Sequence, residues 1–81
     1  MNEMLDLLKF IAQNLVSEPD EVKVEAVEED DAFVLKLSVA QTDMGKVIGK
    51  QGRIAKAIRT LIKAASATED KKYLVEIVEQ Q

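Results

Sequence analysis

The strongest constraint on how this chain folds is Val47-Ile48-Gly49-Lys50-Gln51-Gly52-Arg53, a Gly-x-x-Gly stretch entered by two β-branched residues and left through an arginine. Bulky apolar residues resume at Ile54, Ile58, Leu61 and Ile62, which is helical spacing. Upstream, Thr42-Asp43 has the form of a helix start, with a hydroxyl to cap and an acid in the first turn. The stretch therefore predicts a short helix, a tight loop and a longer helix. Two glycines let the backbone turn sharply and leave no side chain to hold another molecule away. The second glycine falls at a helix start, where unpaired N–H groups and the positive dipole end favour a phosphate. The expectation is a clamp for a phosphate backbone.

Charge makes a second argument for the same place. The 81-residue chain carries a net charge of −4, which alone speaks against a polyanion as partner. The charge is segregated, however. Residues 44–63 hold Lys46, Lys50, Arg53, Lys56, Arg59 and Lys63 and no acid, while the other 61 residues hold five basic and fifteen acidic groups. A local positive surface on an acidic body governs encounter with a polyanion more than net charge does. Lys56, Arg59 and Lys63 read equally well as the solvated side of an amphipathic helix. Lys46, Lys50 and Arg53, gathered at the loop, read as functional.

Taken in order, residues 2–16 predict a helix, with Met4, Leu8, Ile11 and Leu15 on one stripe, stopped by Glu18-Pro19. Val22 to Ala26 alternates apolar and charged residues as a half-buried strand does. The acidic Glu28-Glu29-Asp30-Asp31 is a turn, read as a solvated tip rather than a calcium loop, since it neither alternates ligands nor carries the bend glycine. Phe33, Leu35, Leu37 and Val39 then face one way from a second strand, antiparallel to the first. In the helix after the loop, Ile58, Leu61, Ile62 and Ala65 share the face of Ile54, and Lys56, Arg59 and Lys63 lie opposite. Ser66 to Asp70 ends it, Tyr73 to Val78 is a last strand, and Glu79-Gln80-Gln81 a frayed tail. The order α-β-β-α-α-β predicts an α+β fold, one three-stranded sheet covered on one face by three helices. Phe10, Phe33 and Tyr73 are assigned to the core.

Much chemistry is excluded by the inventory. Without cysteine or histidine there is no disulfide, no thiolate metal site and no imidazole base, and the reading is of no enzyme, no metal and no cofactor. Gly45 to Gln51 fails as a nucleotide loop, having three residues between glycines instead of four and glutamine where Mg²⁺ needs a hydroxyl. No run is long and apolar enough for a membrane span, and Glu3 and Asp6 stand where a secretion signal is basic. The expectation is a soluble cytoplasmic chain with neither membrane nor small-molecule partner.

The loop, its flanking Val-Ile and Arg-Ile-x-x-x-Ile, and the order of elements together resemble the KH domain in its type II form. The resemblance covers residues 1–81 as one domain, with the Gly-x-x-Gly loop at 49–52. As a small, acidic, single KH domain with Val-Ile-Gly-Lys-Gln-Gly-Arg-Ile-Ala-Lys-Ala-Ile-Arg, the chain is similar to the bacterial KhpA family of RNA-binding proteins. The resemblance implies a groove for about four nucleotides of single-stranded RNA or DNA, its loop against the backbone. Gly49, Lys50, Gln51 and Gly52 would then contact phosphates, with Lys46, Arg53 and Lys56 adding charge. Val47 and Ile48 would supply apolar groove floor or, for one of them, core. The strand around Val34 to Ser38 would form the opposite wall. The family also implies an RNA chaperone or regulator, a homodimer, and pairing with a larger KH-containing protein. The competing reading is a KH-like module for protein interaction or dimerisation with little RNA binding of its own.

Overall fold

A computed structural model describes residues 3–78, so the predicted Glu79-Gln80-Gln81 tail lies outside the described residues. The elements are helix α1 (Glu3–Gln13), a 3₁₀ turn (Pro19–Glu21), strands β1 (Lys23–Glu28) and β2 (Ala32–Ser38), helix α2 (Gln41–Ala65) and strand β3 (Lys72–Ile77). Helix α1 ends well before Pro19. The Asn14 amide side chain donates to the Phe10 carbonyl at 2.7 Å, and this local bond competes with another helical turn. Pro19 then opens the 3₁₀ turn, where its missing N–H costs nothing.

The hairpin forms as expected. β1 and β2 pair antiparallel with Ala26 opposite Leu35 and Val24 opposite Leu37, and Glu29 N–H donates to Ala32 O across the acidic tip. β3 then joins β2 in parallel, Tyr73 beside Phe33 and Val75 beside Leu35, giving the strand order β1-β2-β3. A parallel pair needs a long crossover, and α2 supplies it. Alternation puts Phe33, Leu35 and Leu37 under the helices and Val34, Lys36 and Ser38 on the opposite face. Phe33 and Tyr73 stack with ring centroids 5.2 Å apart, and the Lys71 ammonium lies 4.7 Å above Phe33 while ion-pairing with Glu28 at 2.7 Å.

The core gathers Leu8 and Ala12 of α1, Leu35 and Leu37 of β2, Val39, and Val47, Ala55, Ile58 and Ile62 of α2. Four residues differ from the sequence reading. Phe10 is 65% exposed, on the side of α1 away from Leu8. Leu15 is 39% exposed because α1 stops before it. Leu61 is 48% exposed, and Ala65 is exposed as well. The buried arc of α2 is centred on Ile58 and Ile62 and turned toward Ala55, which places Leu61 on its far flank.

The two helices predicted around the glycines meet without a coil between them. The helical run is continuous from Gln41 to Ala65, and its joint is Gly52, at φ +67°. That left-handed value is foreign to a right-handed helix and costs an L-residue roughly 1–2 kcal/mol. Gly52 is therefore where the run changes direction.

Candidate nucleic-acid interface

The N-terminal half of α2 is fastened to the connector that follows α1. Thr42 is not the helix cap. Ala40 holds that position, and the Thr42 hydroxyl donates instead to Glu18 Oε2 at 2.6 Å. Asp43, which the sequence marked only as a first-turn acid, is 1% exposed and accepts the backbone N–H groups of Ser17 at 2.9 Å and Glu18 at 3.0 Å. One turn on, Lys46 Nζ donates to Ser17 Oγ at 2.6 Å and lies 3.9 Å from Asp43 Oδ1. Lys46 thus reaches back to the connector while half of its side chain stays in solvent. Sequence reasoning missed Asp43. The available signal was its position as the lone acid in a helical run otherwise charged only by lysine and arginine.

The Ser17 N–H holds the Asp43 carboxyl below its ordinary value of 3.8, against the opposing effect of burial and with help from the Glu18 N–H, the Lys46 ammonium and the Ser17 hydroxyl. A lowered folded-state value contributes stability that is complete above the unfolded value and is lost as pH falls through the folded one. Asp43→Asn is expected to lower the Tm on the order of 5–15 °C at neutral pH, because it leaves two part-buried amides short of a charged acceptor. The gap from wild type should narrow at a pH well below the ordinary carboxylate range, low enough for the native carboxyl itself to be protonated. Thermal melts of both chains at the two pH values measure this, and a gap that does not change with pH would contradict it.

Of the expected binding residues, Val47 is fully buried in the core, so it anchors the loop from beneath and offers no surface to a ligand. The side chains of Ile48, Lys50 and Gln51 lie outside what the structure describes. Arg53 and Lys56 are exposed beyond the joint, followed along the same helix by exposed Arg59 and Lys63. The only acid in this run is the buried Asp43, so nothing exposed on α2 offsets the positive field of its outer side.

The glycines carry a separate signal. A Cβ at Gly49 or Gly52 would meet nothing within 4 Å. Gly52 is explained by its positive φ. Gly49 has no such φ and no close neighbour, so internal packing does not account for it. Because the helical run continues through the joint, the phosphate argument rests on bare backbone and nearby cations rather than on a free helix end.

The strand expected as the second wall, β2, is not the one that packs beside α2. β2 is the central strand, hydrogen-bonded on both sides, and its Val34, Lys36 and Ser38 face away from the helices. The strand beside α2 is β3, whose Val75 carbonyl accepts from Arg59 Nε at 3.3 Å. Between α2 and β3 runs a groove of about 530 Å³, with Arg59 and Lys63 on one side, Tyr73, Leu74 and Val75 on the other, and the acids Glu69 and Asp70 at the connecting turn. Among the described residues no group of carboxylates is arranged to hold a metal ion, and no helix is long and apolar enough to cross a membrane.

Comparison with known proteins bears on the same region. A family profile described as KhpA/KhpB, KH domain, matches residues 5–77. An RNA-binding protein KhpA from Clostridium acetobutylicum is 59% identical over 75 residues, covering 93% of this chain and 100% of its own length. A protein of the same description from Clostridium perfringens is 53% identical with the same coverage. Among solved structures, Era from Aquifex aeolicus, bound to GDP and aluminium fluoride, matches with a TM-score of 0.65 at 19% identity. That match takes in 94% of this chain and 29% of the other, and it is a likeness of fold alone.

Proposed function

The chain belongs to the KhpA/KhpB family of KH domains, and from that premise we propose that it binds single-stranded RNA with the Gly49–Gly52 loop against the phosphate backbone. The observation that carries this reading is Gly49: a glycine demanded by neither backbone conformation nor internal packing, at the head of an exposed basic helix face. A close external approach is what a missing side chain permits there. Lys46, Lys50, Arg53 and Lys56 supply the charge. Bases lie toward the groove between α2 and β3, where Leu74 and Val75 offer apolar contact and Arg59 and Lys63 offer charge.

Affinity in this reading is modest and sequence preference weak. Tyr73 lines the groove from the β3 side, but its ring is stacked on Phe33 and packed against the core, so base stacking of the kind that dominates RRM surfaces contributes little. Function as an RNA chaperone or regulator in the cytoplasm, with avidity from a homodimer or a larger KH-containing partner, follows from that weakness. Exposed Leu61 and Phe10 supply apolar surface for such a protein contact, the one observation that favours the interaction-module reading.

Titrating the ¹⁵N-labelled chain with a single-stranded RNA tests the site directly. Amide shifts should concentrate at residues 46–56 and on β3 near Val75. Shifts confined to α1 or to β1 would overturn the assignment.

A further inference from the structure

Added Cβ atoms at Gly49 and Gly52 would meet open space, so neither glycine is fixed by close packing, and the two helical arms that carry them set their position. The arm after Gly52 is held by Ala55, Ile58 and Ile62 in the core. Among the described residues the arm before it has one fully buried apolar side chain, Val47, with Met44 packed against the core, and a polar fastening one turn earlier. There Thr42, Asp43 and Lys46 all contact Ser17 or Glu18, and Asp43 is both the buried member and the one bonded to backbone.

We infer that Asp43 is a positioning residue for RNA binding, its carboxylate holding the lead-in arm of α2 to the Ser17 and Glu18 amides so that Lys46 and the Gly49–Gly52 backbone meet the same stretch of RNA. The inference rests on the function proposed above. It also explains why a run that is otherwise wholly basic retains one acid. A carboxylate near a polyanion site opposes binding by charge, and here two amide donors, burial and the Lys46 ammonium keep its field from the ligand. Lys46, spanning Ser17 and Asp43 with half its side chain in solvent, is oriented by the same contacts.

Charge and position make opposite predictions, which separates them. By charge alone, Asp43→Asn removes a negative group beside the loop and should tighten RNA binding. By position, it frees the arm, weakens binding about tenfold and flattens the salt dependence by about 0.7 for each phosphate that is no longer neutralised. The control is Ile62→Val, which loosens the core away from the loop. It should lower the Tm while leaving affinity and salt slope unchanged at a temperature where every chain is folded.

The experiment measures fluorescence anisotropy of a labelled single-stranded RNA across a salt series for wild type, Asp43→Asn, Ile62→Val and Lys50→Asp/Gln51→Asp. Weakened binding with a shallower slope in Asp43→Asn alone of the first three supports the inference. Equal or tighter binding by Asp43→Asn, with Lys50→Asp/Gln51→Asp inactive, overturns the inference and leaves the proposed function standing. Absence of binding by wild type overturns both. If Asp43→Asn does not fold, amide hydrogen exchange of the wild-type chain decides. By reciprocity of coupling, RNA should slow exchange at Ser17 and Glu18 more than at Ile62, and uniform slowing overturns the inference.

Discussion

Replacing Lys50 and Gln51 together by aspartate is expected to reduce affinity for single-stranded RNA on the order of a hundredfold while the chain stays folded. The exchange makes the loop more negative by three charges at the point where a phosphate approaches. The described contacts that hold this region lie elsewhere. The joint is made by Gly52, the lead-in arm is held by Val47 and Asp43, and the following arm by Ala55, Ile58 and Ile62. Circular dichroism and the melting temperature should therefore match wild type. Retention of wild-type affinity by a folded double variant would move the RNA away from this loop and favour the interaction-module reading.

The converse separation is expected at Ile58, which is fully buried beneath the basic side of α2. Ile58→Ala removes part of the packing between α2 and the sheet and leaves a cavity, at about 2–5 kcal/mol. A domain of this size holds about 4–12 kcal/mol in all, so the variant stands near unfolding. Its Tm should fall by about 10–30 °C in a thermal melt. RNA binding should vanish at temperatures where the chain is unfolded and return on cooling, because Arg53, Lys56 and Arg59 remain. A shift of only a few degrees would mean that α2 is not seated on the core through Ile58.

How much of this was legible in the sequence depended on whether the signal was local. Alternation of Phe33, Leu35 and Leu37 against Val34 and Lys36 gave the strand and its two faces, since side-chain direction in a strand is a property of the strand itself. The helical spacing after Gly52, and the joint at Gly52, were equally local. Which flank of a helix meets a neighbour is not local. Leu61 is placed in the core on periodicity and Phe10 only along with the other aromatics, outside its helix's apolar stripe; periodicity says which residues share a face, and the sheet covers a narrower arc than the apolar pattern spans. Strand order is hidden from the sequence for a related reason. That β2 is central and β3 lies beside α2 follows from pairing order, which no alternation of residues encodes. Asp43 was the least legible. Its partners are 25 and 26 residues earlier in the chain, and both contribute backbone N–H groups, which every residue but proline possesses.

The central claim is that cations beside a bare glycine backbone take hold of RNA phosphates. The salt dependence of wild-type binding to single-stranded RNA tests it most directly, measured beside the Lys50→Asp/Gln51→Asp chain. Each neutralised phosphate contributes about −0.7 to the slope of log K against log salt, so contact through the loop with about three phosphates gives a slope near −2. That slope is expected for wild type, with little measurable binding by the double variant. A flat salt dependence, or equal slopes for the two chains, would contradict it.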